Sequence, residues 1–96
     1  MQIDKKIEGD TLTIKITGRL DTTTSEMLEK ELSLENVKTL IFDLAELEYI
    51  SSCGLRILLS TKKHMNTIGE MIVKNVKGNV KEVLDITGLS SVLNIE

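Results

Sequence analysis

The segment Thr39-Leu40-Ile41-Phe42-Asp43-Leu44 constrains this chain more than any other. Its near-continuous apolar run reads as a central strand covered on both faces, and strands of that kind belong to largely parallel sheets with helices packed over them. The neighbouring segments supply the partners. Thr11-Leu12-Thr13-Ile14-Lys15-Ile16-Thr17 alternates, with Leu12, Ile14 and Ile16 on one side, and reads as a half-buried strand. Gln2 to Glu8 alternates weakly through Ile3 and Ile7, and the Gly9-Asp10 turn joins it to that strand as a hairpin.

Three helices fit between and after the strands. Thr22-Thr23-Thr24-Ser25 offers several N-cap candidates, and Thr23 with Glu26 has the spacing of a capping box, which predicts a helix from Ser25 to Leu34. The residues Ala45 to Ile50 read as a connecting loop with buried anchors. Ser51-Ser52-Cys53-Gly54 opens a second helix running to about Thr67, its apolar stripe formed by Leu55, Leu58, Leu59, Met65 and Ile68. Glu70 to Val76 is a strand. Val80, Val83, Leu84 and Thr87 mark a third helix ended by Gly88, and Val92 to Ile95 is a short last strand. The order ββαβαβαβ predicts an α/β domain, a mixed but mostly parallel sheet of four to five strands with right-handed crossovers. At 96 residues the whole chain, 1–96, is expected to be a single domain. With one Phe and one Tyr, Phe42 and Tyr49, its core must come from Ile, Leu, Val and Met.

Composition removes several function classes. The formal net charge is −3 and the lysine doublets 5–6 and 62–63 are isolated, which argues against direct nucleic-acid binding and against an anionic membrane surface. No apolar stretch approaches the roughly 20 residues that span a bilayer. No basic segment followed by an apolar run opens the chain, so a cytoplasmic protein is expected. A single cysteine, Cys53, and a single histidine, His64, leave no disulfide and no thiolate metal site within one chain. No cofactor motif is present: the glycines are scattered, with neither a G-x-G-x-x-G nor a phosphate loop. His64 lies twelve residues beyond Ser52 on the same predicted helix, roughly 18 Å away at about 1.5 Å per residue, so Ser52 is not an activated nucleophile. The chain is not expected to be an enzyme.

What remains is the helix start at Ser51-Ser52-Cys53-Gly54-Leu55. A serine there ordinarily caps the helix. The same place also suits a phosphoserine, because free N–H groups and the positive end of the helix dipole favour an anion. Gly54 reads equally well as an opening for a partner and as relief of packing against a strand. Cys53 reads as small helix packing, with redox sensing as the lesser reading.

Three segments together resemble the STAS family of bacterial anti-sigma factor antagonists. Ile16-Thr17-Gly18-Arg19-Leu20-Asp21 is similar to the family's G-x-L/I-D strand exit. Leu44 to Leu58, with Tyr49-Ile50-Ser51-Ser52-Cys53-Gly54-Leu55 at its centre, resembles the family's central motif. Val83 to Leu89 resembles its helix end before G-L. The element order agrees over nearly the whole chain.

The resemblance implies a partner-switching module. The unphosphorylated antagonist binds an anti-sigma factor that is also a serine kinase, and phosphorylation of the serine matching Ser52 releases it. A phosphatase resets the switch. The docking surface implied here comprises Asp21, Thr22, Ser51, Ser52, Cys53, Gly54 and Arg56, on a monomer. The family's frequent Asp before the phosphoserine is Ser51 in this chain. The alternative implied function is that of a STAS accessory subunit of a phospholipid-transport ATPase or another complex, without phosphorylation.

Overall fold

Alternation along the second strand sets up the architecture. In the computed structural model, which describes residues 2–96, the hairpin consists of β1 (Gln2–Glu8) and β2 (Thr11–Leu20), paired antiparallel from Gln2 opposite Thr17 to Glu8 opposite Thr11. There follow α1 (Thr22–Glu31), β3 (Thr39–Asp43), β4 (Leu47–Ile50), α2 (Ser52–Met65), β5 (Glu70–Lys74), α3 (Gly78–Ile86), a 3₁₀ turn (Leu89–Ser91) and β6 (Asn94–Ile95). The strands lie in the order β1-β2-β3-β5-β6, with β4 attached to β2, and every pairing after the hairpin is parallel. The order advances in one direction and such crossovers are right-handed, so the three helices fall on one face of the sheet.

Register explains the core. Leu12, Leu40 and Met71 form one row across β2, β3 and β5, and Ile14, Phe42 and Val73 form the next. All six are essentially inaccessible, as are Leu28 of α1, Leu58 and Met65 of α2, and Leu84 of α3 packed in the same cluster. Full burial of such a side chain contributes about 1.5–3 kcal/mol. The intervening residues point the other way. Thr13, Ile41 and Ile72 form one half-buried row, and Lys15, Asp43 and Lys74 form an alternating row of charges.

The structure corrects several expectations. β3 is fully buried on one face only: Leu40 and Phe42 are covered, whereas Thr39, Ile41 and Asp43 are half-buried. All helices lie on one side, so the second face keeps polar neighbours. The sheet has six strands rather than four to five, because Leu47–Ile50, read as a loop, pairs with the end of β2. Four residues give too short an alternation to declare a strand. The first helix spans Thr22–Glu31 rather than 25–34, because its cap is Asp21 and its capping box joins Asp21 to Thr24, not Thr23 to Glu26. The second helix ends at Met65, and its buried face also includes Ile57 and Thr61. The hairpin and the parallel arrangement hold as expected.

Candidate functional site

Strand β2 serves two partners in succession. Thr11 to Lys15 pair with β3, and Gly18 to Leu20 pair with β4. The change coincides with an irregularity at Gly18-Arg19, where Gly18 takes φ +102°, a conformation that favours glycine. Beyond it, Arg19 lies opposite Tyr49, with the guanidinium 4.2 Å from the ring centroid, and Leu20 lies opposite Ile50. Each strand is followed by one capping residue and then a helix: Asp21 before α1 and Ser51 before α2. The Ser51 N–H donates to the Leu20 carbonyl at 2.9 Å, which ties the two starts together. Two helix N-termini therefore stand side by side at the carboxyl ends of two adjacent parallel strands, a location where open α/β sheets commonly bind ligands.

The α1 start is closed by reciprocal bonds. Asp21 accepts from the Thr24 N–H at 3.1 Å, and the Asp21 N–H donates to Thr24 Oγ1 at 2.8 Å. The Thr24 N–H, then its hydroxyl, hold the Asp21 carboxyl below its ordinary value of 3.8. At the α2 start only one bond of this kind forms: the Gly54 N–H donates to Ser51 Oγ at 3.3 Å. Ser52 is the first helical residue and is exposed. Its hydroxyl makes no hydrogen bond among the described residues, and the N–H groups of Ser52 and Cys53 find no protein acceptor there. The cap is thus Ser51, which commits the Ser51 hydroxyl and leaves that of Ser52 free.

The other residues singled out in the sequence gather around this point to different degrees. Thr22 is exposed at the start of α1, and the half-buried Cys53 thiol donates to its Oγ1 at 3.7 Å. Arg56 is exposed one turn along α2 from Ser52. Gly54 is buried: a Cβ there would meet Ile50 Cγ1 at 2.8 Å and Leu20 Cγ at 2.9 Å. Between its two readings, the geometry selects packing: α2 lies close against the ends of β2 and β4 because residue 54 has no side chain. His64 is exposed near the far end of α2 and takes no part. The Arg19–Tyr49 stack was not singled out in the sequence, and Ser25 and Glu26 were read there as capping residues, not as a face of α1 that lies with Glu29 beside Cys53. The three- and four-residue spacing from Thr22 through Ser25 and Glu26 to Glu29 was the available signal. Among the described residues no cluster of metal-ligating side chains forms, and no helix is long and apolar enough to cross a membrane.

Fold and site define a class: a small α/β domain with an N-terminal hairpin, helices on one face, and paired helix starts carrying a free serine. The STAS domain family model matches residues 2–96, and the chain belongs to that family. It is 33 % identical over 94 residues to BtrV of Bordetella bronchiseptica, described as a candidate anti-sigma factor antagonist, covering 94 % of this chain and 80 % of that protein. It is 28 % identical over 100 residues to the anti-sigma F factor antagonist of Paenibacillus polymyxa, covering 99 % of this chain and 86 % of the relative. Its fold is that of the Bacillus cell fate determinant SpoIIAA. The phosphorylated form of that protein superposes with a TM-score of 0.78 at 20 % identity over 99 % of this chain and 91 % of the other. The unphosphorylated form gives 0.85 at 21 % identity over 99 % and 88 %.

Proposed function

We propose that this chain is an anti-sigma factor antagonist working as a phosphorylation-controlled partner switch, a cytoplasmic regulator rather than an enzyme. Unphosphorylated, it binds an anti-sigma factor with serine kinase activity through the surface around Asp21, Thr22, Ser51, Ser52, Cys53 and Arg56. Gly54 contributes from beneath by letting α2 approach the sheet. Phosphorylation of Ser52 releases the partner, and a phosphatase restores the first state. The similarity to two anti-sigma factor antagonists supports the class of partner.

The observation that carries the reading is the division of labour between the two serines. Ser51 Oγ accepts the capping bond from Gly54, while Ser52 is exposed with its hydroxyl unengaged among the described residues. A phosphate on Ser52 would add about −1.5 to −2 charge beside two unoccupied N–H groups, at the positive end of α2. The helix can accept that charge without unfolding, so the change is read by whatever docks on this surface.

Incubation with the anti-sigma kinase and ATP is expected to add one phosphate, detected by intact mass, and to end complex formation. Ser52→Ala should remove the acceptor and keep the partner bound in the presence of ATP. Equal phosphate incorporation in that variant overturns the assignment.

A further inference from the structure

Strand β1 is the outermost strand of the sheet: it pairs with β2 on one side and has no strand on the other among the described residues. Such an edge leaves alternate backbone N–H and C=O groups open to a further strand, and folded domains ordinarily blunt it with short length, lysines or bulges. β1 runs from Gln2 to Glu8 in unbroken register with β2. That register puts Ile3, Lys5 and Ile7 on the helix-covered face, opposite Ile16, Ile14 and Leu12. It puts Asp4 and Lys6 on the open face, opposite Lys15 and Thr13. Ile3 packs against the core, whereas Ile7 is 71 % exposed although its neighbour Leu12 is buried. Lys5 is drawn off the edge by Glu31 of α1, with Nζ 2.9 Å from Oε2. The apolar row thus stops at an uncovered isoleucine on an open edge.

We propose that the occupant of this edge is β1 of a second copy of the chain, paired antiparallel about a two-fold axis through Lys5, in place of the monomer that the resemblance implies. An axis of this kind stands perpendicular to the sheet, so it keeps each side chain on its own face and must centre on one residue. The choice is among Asp4, Lys5 and Lys6. Centred on Lys5, Ile3 faces the partner subunit's Ile7 and Asp4 faces the partner subunit's Lys6, and symmetry repeats both pairs. Centred on Asp4, Ile3 would face the partner subunit's Lys5. Centred on Lys6, Asp4 would face the partner subunit's Glu8. Only the Lys5 register sets apolar against apolar and opposite charge against opposite charge, the pairs that stabilise neighbouring strands. On the helix-covered face it continues the row of Ile16 and Ile3 into the partner subunit's Ile7, which covers the exposed isoleucine. On the open face the alternation Lys74, Asp43, Lys15, Asp4 continues into the partner subunit's Lys6. Within the chain Lys6 reaches only the exposed Glu8, at 3.1 Å, and Asp4 takes only two 3.3 Å contacts from Gln2, so both can turn to the new pair. The two Lys5 side chains meet at the axis, each neutralised by its own Glu31. The two β2 strands then run in opposite directions, so the Ser52 surfaces lie at opposite ends of the joined sheet and both stay open.

Sedimentation equilibrium of the full chain, unphosphorylated and alone, is expected to show monomer and dimer exchanging with concentration. Asp4→Lys sets two lysines face to face and Lys6→Asp sets two aspartates face to face, twice in each dimer. Each variant by itself is expected to dissociate about tenfold more readily. Mixed in equal amounts, the two variants regain opposite charges at both places, and the mixture is expected to associate as the unaltered chain does. A local change of fold does not predict recovery on mixing. A monomer up to millimolar concentration, undiminished association of either variant, or a mixture no stronger than its components overturns the proposal. In the unaltered chain, the β1 amides that face away from β2 should exchange hydrogen more slowly as concentration rises, and exchange independent of concentration overturns it as well. These readouts involve neither Ser52 nor the anti-sigma partner, so their failure leaves the partner-switch reading standing, and failure to bind that partner leaves the pairing standing.

Discussion

The helix starts at Asp21 and Ser51 occupy equivalent places at the ends of paired strands, yet they are built differently. At the third helical position α1 has Thr24, whose hydroxyl returns a bond to the cap, and α2 has Gly54, which has nothing to return. The first start is closed by Asp21 and Thr24 bonding in both directions. The second is held by a single 3.3 Å bond to Ser51 Oγ, with Ser52 exposed beside it. The glycine that leaves α2 incompletely capped is the residue that lets α2 sit against Leu20 and Ile50. One packing requirement therefore both anchors the helix and keeps its first turn open to a modification.

The largest effect is expected from forcing the second start to imitate the first. Gly54→Thr supplies the side chain that would complete a capping box, but its Cβ would fall within 3.0 Å of Ile50 and Leu20. Overpacking of this kind costs about 1–3 kcal/mol, more than a cap returns. Urea denaturation should show a lower midpoint, and a gain in stability would refute the packing role of Gly54.

A smaller effect is expected from weakening the first start. The folded Asp21 carboxyl titrates below its ordinary value of 3.8, held there chiefly by the Thr24 N–H. A depressed folded value means the ionised cap stabilises the fold above the unfolded value, and this contribution is lost as pH falls through the folded one. Asp21→Ala, which removes both the cap and its charge, should therefore lose stability near neutral pH and show a shallower decline on acidification. Asp43 and Asp85, lowered by bonds from Asn75 and Ser90, account for part of the slope that remains. Thermal melts across that range check this, and an unchanged acid slope would remove Asp21 from the account. The smallest effect is expected for Ser51→Ala, which deletes one long capping bond: about 0.5–1 kcal/mol, at the low end for N-caps. A larger loss than in Asp21→Ala would invert the comparison.

Much of this arrangement was legible in the residues. Alternation through Leu12, Ile14 and Ile16 gave the face of β2, and the apolar run at Leu40 and Phe42 gave a central strand. The Ser51-Ser52-Cys53-Gly54 segment located the second helix start to within a residue. These features are local, and side-chain periodicity and capping chemistry act over a few neighbours. The strand at Leu47–Ile50 was not legible, since it exists only because β2 continues past Gly18 and offers a free edge to it. Nor was the identity of the cap at either helix, because Asp21 against Thr23 and Ser51 against Ser52 differ by register set in the strands behind them.

By itself the sequence determined the hairpin, the three helices, the alternating face of β2 and the position of a serine at the start of the second helix. Only the tertiary structure decided that Leu20 and Ile50 lie in register. That pairing places the two helix starts side by side, buries Gly54 beneath them and opens a cleft between Ser25 and Cys53. The physical reason is range: capping and periodicity are written over three or four residues, whereas this site joins groups some thirty residues apart through a parallel pairing that no local pattern encodes.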